Sequence, residues 1–94
     1  MAAVTTKMAV SPTQEQILRG LIATGGLTGF RPLFRAAFGL RWEDVSPSDR
    51  NRYFSNLRAL ERKGLSTITR RWGTGGYGQP ELVTITDAGR AYVA

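Results

Sequence analysis

Ser46-Pro-Ser-Asp-Arg-Asn-Arg-Tyr-Phe-Ser-Asn-Leu-Arg-Ala-Leu-Glu-Arg-Lys-Gly-Leu65 reads as a capped helix with a defined stop. Serine at the N-cap accepts a backbone N–H, proline suits the first helical turn, and Asp49 places a carboxylate near the positive end of the helix dipole. Arg62 and Lys63 complement the negative end, Gly64 suits a left-handed terminator, and Leu65 packs back. At 100° per residue, Tyr53, Leu57 and Leu60 fall on one face with Phe54 at its edge. Asn51, Ser55, Arg58 and Arg62 centre on the opposite face, flanked by Arg52 and Ala59. Ser66 to Arg71 then has strong β propensity in Thr67, Ile68 and Thr69. Gly73-Thr-Gly-Gly-Tyr-Gly-Gln79 reads as a turn or flexible loop. Leu82 to Thr86 alternates as a returning strand. A capped basic helix is thus followed by a two-stranded basic ribbon.

Working toward the N-terminus, Gly39 to Val45 is expected to be a loop with Trp42 folded onto the core. Phe30 to Phe38 reads as a short second helix, with Leu33, Phe34, Ala37 and Phe38 as its apolar stripe. Ser11-Pro-Thr-Gln14 opens the first helix as a capping box. Ile17, Leu18, Leu21 and Ile22 form its stripe, and Gly25-Gly26 ends it. Residues 1–10 read as a flexible arm and 11–94 as one domain. On the C-terminal side, Thr86 caps a short last helix, Asp87 to Val93.

Composition narrows the function. The 94 residues contain no cysteine and no histidine. Disulfides, thiolate or imidazole metal sites and Ser-His or Cys-His catalysis are therefore excluded. The seven acids are scattered, with Glu43 and Asp44 the only adjacent pair, so no metal, no cofactor and no enzymatic activity is expected. The glycines of 73–78 lack the Gly-Lys-Ser/Thr ending and the following helix of a phosphate-binding loop. Thirteen basic residues against seven acidic give +6, and eleven of the thirteen are arginine, which suits bidentate contacts to phosphate and guanine. Between Ser46 and Gly73 stand seven basic residues and two acidic ones, a local charge of +5. That concentration is the footprint of nucleic-acid binding, against the plainer reading of a solvated face. No apolar run reaches a membrane span, and Met1 to Val10 makes a poor signal peptide. A cytoplasmic location is expected.

Two stretches carry a resemblance. Leu57-Arg-Ala-Leu-Glu-Arg-Lys-Gly-Leu65 resembles the L-x-x-L-E-x-x-G-L end of recognition helices in MarR-like and PadR-like transcriptional regulators. Val83-Thr-Ile-Thr-Asp-Ala-Gly-Arg90 resembles the L-T-x-x-G-R close of the same domains. The resemblance spans about Ser11 to Ala94. It implies an α+β winged helix-turn-helix: three helices, a two-stranded β wing and a short C-terminal helix. It also implies double-stranded DNA as the partner, with the third helix in the major groove. In that arrangement Asn51, Arg52, Ser55 and Arg58 read base edges. Arg50, Arg62, Lys63, Arg70, Arg71 and Tyr77 hold the backbone, and Arg31 and Arg35, one turn apart, could add a phosphate contact. The Gly39 to Val45 loop is longer than the turn usual in these domains, and the long flanking dimerisation helices are absent, which fits a minimal DNA-binding module. A homodimer is one option, through the arm, the first helix or the Tyr92-Val93 edge. The alternative function is a protein-interaction module whose basic face docks on an acidic partner.

Overall fold

The computed structural model describes residues 10–72 and 78–94, with side chains except those of 70–72 and 78–81. Among these residues the chain runs α1 (Pro12–Ala23), β1 (Leu27–Gly29), α2 (Phe30–Phe38), a 3-10 turn (Trp42–Asp44), α3 (Pro47–Arg62), β2 (Ser66–Trp72), β3 (Gly78–Ile85) and α4 (Asp87–Val93). It is a small α+β fold of four helices and a three-stranded antiparallel sheet, ordered β1-β3-β2.

Local chemistry sets the helix limits. Ser11 Oγ accepts the Gln14 N–H at 3.1 Å, and Gln14 Oε1 receives the Ser11 N–H in return, completing the capping box. Ser46 Oγ caps α3 through the Asp49 N–H. At the far end of α3, Gly64 takes φ 75°. Its N–H reaches Glu61 O, and the Leu65 N–H reaches back to Leu60 O, both at 3.0 Å. These paired bonds form a Schellman motif and satisfy carbonyls that the helix leaves open. α1 ends the same way, with Gly25 N to Ile22 O and Gly26 N to Leu21 O.

β1 is the element absent from the expected two-stranded ribbon. Three residues, Leu27 to Gly29, are too few to show alternation in sequence. They become a strand because Gly26 O accepts the Ile85 N–H at 2.9 Å and starts a ladder pairing Leu27 with Thr84 and Gly29 with Leu82. β3 is therefore flanked on both sides only from Leu82 onward. Nearer its start it meets β2 alone, and Pro80, which has no N–H, lies there. The β2–β3 register slips between Thr69 and Arg70, next to that proline.

The core lies between the helices and one face of the sheet. Ile17, Leu18 and Leu21 of α1, Leu33 and Phe34 of α2, and Tyr53, Leu57 and Leu60 of α3 meet Leu65, Ile68, Val83 and Ile85. Ile22 departs from the expected stripe: it is 41% exposed at the end of α1. Gly20 lets α1 and α2 approach closely, since a Cβ there would stand 3.1 Å from the Ala37 backbone nitrogen. No helix among the described residues is long and apolar enough to cross a membrane.

Candidate nucleic-acid interface

α3 divides into the two faces expected of it. Tyr53, Leu57 and Leu60 are buried, whereas Asn51, Arg52, Ser55, Arg58 and Arg62 are exposed. From Asn51 to Arg62 the exposed face runs for three turns, about 16 Å along the axis at 1.5 Å per residue. Arg58 Nη2 donates to Ser55 Oγ at 3.3 Å. Arg52 Nη1 stands 3.8 Å from Asp49 Oδ1, with the two side chains 74% and 59% exposed. Such an exposed pair is worth at most about 1 kcal/mol, so Arg52 is readily redirected to another partner. Glu61, the other acid of this segment, is directed elsewhere: its Oε2 accepts the Ile68 N–H at 3.2 Å. It couples the end of α3 to β2.

The presentation of α3 depends on the loop before it. Trp42 is half-buried and makes edge contacts with Phe30, Phe34, Tyr53 and Phe54, at centroid distances of 5.3 to 5.8 Å. Tyr53 donates its hydroxyl to Phe30 O at 2.7 Å, and burial pushes the phenol well above its ordinary titration range, so it stays neutral. The long Gly39 to Val45 segment is thus a packed corner tied to α2 and α3.

Two expected backbone contacts are engaged inside the fold. Arg50 Nη2 donates to Trp42 O at 2.7 Å, and its guanidinium lies 4.9 Å above the Trp42 ring. Arg50 therefore clamps the corner onto α3, and its half-buried side chain is directed away from the exposed face. Lys63 Nζ donates to Gln14 Oε1 at 2.9 Å. Arg62 stays exposed. The side chains of Arg70 and Arg71, and all of Tyr77, lie outside the described residues.

Gln14 is the residue whose full role the sequence conceals. Its cap position is legible, but its amide also donates to Asn56 Oδ1 at 3.0 Å while its carbonyl receives Lys63. Asn56 and Lys63 are two turns apart, so one buried side chain grips α3 along its length. Gln14→Ala is expected to cost about 1–2 kcal/mol, the sum of a lost cap contact and unpaired polar groups on α3. Urea unfolding reads this directly, and an unchanged midpoint would remove Gln14 from the account.

Arg31 and Arg35 are exposed on α2 and line a shallow groove with Arg41, Trp42 and Glu43. The Glu43 carboxyl is held below its usual range, first by hydrogen bonding to its own backbone N–H and then by Arg41, Arg31 and Arg50. It offsets part of the positive charge there. Among the described residues no group of three or more carboxylates is placed to hold a metal ion. No protein-family model matches the chain, and neither the curated proteins nor the solved structures contain a significant match to it.

Proposed function

We propose that this chain is a winged-helix domain that binds double-stranded DNA in a sequence-specific way, as a transcriptional regulator does. α3 enters the major groove, and the β2–β3 hairpin acts as the wing on the backbone. The observation that carries the reading is the exposed face of α3. Its polar groups, Asn51, Arg52, Ser55 and Arg58, are the types that pair with base edges. They stand opposite a buried face that fixes their direction. The major groove is about 12 Å wide and admits a helix of this kind. Arg62, Arg70 and Arg71 hold phosphates.

Selection from a random duplex pool, followed by affinity measurements on the recovered site across a salt series, tests this reading. Three phosphate contacts give an expected slope of about −3 in log affinity against log salt. The absence of any enriched sequence, or a salt-independent affinity, would sink it. If the protein purifies free of nucleic acid and captures one acidic protein, the basic face serves protein docking instead.

A further inference from the structure

The exposed face of α3 has an internal spacing that narrows what it can read. Asn51 and Arg58 are seven residues apart, which is two helical turns to within about 20°. They therefore stand in one row along the helix, about 10.5 Å apart at 1.5 Å per residue. Ser55 lies between them, about 40° from Asn51 round the axis at 100° per residue. Arg52 stands about 100° to one side, outside the row. Asn51, Ser55 and Arg58 are all exposed.

These side chains are not equally available. α3 carries two asparagines, and Asn56 is committed: its oxygen accepts from the Gln14 amide at 3.0 Å, and its nitrogen donates to Arg52 O at 3.0 Å. The Asn51 side-chain amide has no partner among the described residues, so its donor and its acceptor are both open. Ser55 Oγ receives Arg58 Nη2 at 3.3 Å. That bond takes one of the five guanidinium N–H groups and leaves enough for the O6 and N7 acceptors of guanine. It also restrains a long side chain that would otherwise lose its freedom on binding. Ser55 is thus placed to aim Arg58.

We infer that α3 recognises a duplex carrying an adenine and a guanine about two base pairs apart, with Asn51 on the adenine and Arg58 on the guanine. Ser55 is a positioning residue that acts through Arg58. The inference rests on the DNA-binding reading given above. Where a helix lies in the major groove, side chains three to four residues apart meet successive bases. Two turns then span two base steps. Asparagine pairs bidentately with adenine N6 and N7, and arginine with guanine O6 and N7. The intervening base pair faces Ser55, a residue type that discriminates poorly between bases, and carries the weakest preference of the three.

The test starts from the duplex that the wild-type protein enriches from a random pool. Affinities for that duplex and for each of its single-base variants are measured at one salt concentration, with wild type, Asn51→Ala, Arg58→Ala, Ser55→Ala and Ser55→Thr. Wild type is expected to prefer adenine at one position and guanine about two base pairs away, each about tenfold over other bases. Asn51→Ala should abolish the adenine preference alone, and Arg58→Ala the guanine preference alone. Ser55→Ala should lower the guanine preference about threefold and leave adenine untouched, since it removes one exposed hydrogen bond. Ser55→Thr keeps the hydroxyl and should keep the preference. A fault in folding would instead weaken every duplex alike. An enriched site without this pair overturns the inference and leaves the DNA-binding reading standing. So do preferences that survive the substitutions at Asn51 and Arg58, or a guanine preference indifferent to Ser55→Ala. A pool that yields no enriched sequence ends the DNA-binding reading and this inference with it.

Discussion

The Arg52→Ala, Arg58→Ala double variant is expected to lose between about thirtyfold and more than ten-thousandfold in affinity for the selected DNA site. A bidentate arginine–guanine contact is worth about 1–3 kcal/mol, so two independent contacts give about 2–6 kcal/mol. Both side chains are exposed and neither supports the core. Folding stability should therefore move by no more than about 0.5 kcal/mol, and the loss is one of recognition. Arg19 provides the control. It is exposed on α1 and paired with Glu15 at 2.7 Å, away from α3, so Arg19→Ala should bind as the wild type does. Sequence dependence separates the two modes of contact. Removing base-reading arginines flattens the difference between selected and scrambled duplexes, whereas Arg62→Ala should weaken both alike. Equal binding by the double variant and the wild type would end the assignment of α3 as the reading helix.

Gly89→Ala should destabilise the fold by about 2–3 kcal/mol, although helix propensity alone points the other way. Alanine in a helix is favoured over glycine by about 1 kcal/mol. Gly89, however, is buried where α4 meets Leu65, in the turn between α3 and β2, and Ile85 of β3. A Cβ there would overlap the Leu65 carbonyl oxygen and stand 2.8 Å from Ile85 Cγ1. The obstructing oxygen belongs to the backbone just beyond the Gly64 turn, where Leu65 O also accepts the Thr86 N–H at 3.1 Å. It cannot yield without breaking that bond. Overpacking of this kind costs about 1–3 kcal/mol and more where backbone must move, so sterics prevail over propensity. For a domain of this size the melting temperature should fall by roughly 10–20 °C. Ala91→Gly, at an exposed site on the same helix, isolates the propensity effect at about 1 kcal/mol. Should Gly89→Ala melt higher than the wild type, the close packing of α4 on Leu65 is wrong.

The helices were legible in the sequence because their signals are local. Ser11-Pro and Ser46-Pro declare two starts, and Gly39 and Gly64 declare two stops. The 3.6-residue period of Tyr53, Leu57 and Leu60 separates the buried face of α3 from the exposed one. Trp42 could be assigned to the core because so large an apolar ring gains much by leaving water. What stayed hidden depends on partners distant in sequence. β1 exists through β3, and nothing in Leu27-Thr-Gly29 announces that. Arg50 and Lys63 read as two more cations in a basic run. Only the packed corner shows that Trp42 holds the first, and only the approach of α1 shows that Gln14 receives the second. Glu61 sits inside the motif that suggested the domain, yet its bond to the Ile68 N–H appears only once β2 is placed beside α3. Charge counting placed most of the positive charge on α3 and β2 and could not say which of those charges are exposed.

The pairing of β1 with β3 also governs when this domain can finish folding. Residues 27–29 hydrogen-bond to residues 82–84, so all of α2, α3 and β2 lie within the loop that this contact closes. α1 and α3 can form early from their own caps, but the sheet that supports them waits for a partner made only after α3 and β2. Such long-range closure slows folding relative to a helical bundle of the same length. On a ribosome, the α3 face would emerge well before the frame that holds it in place.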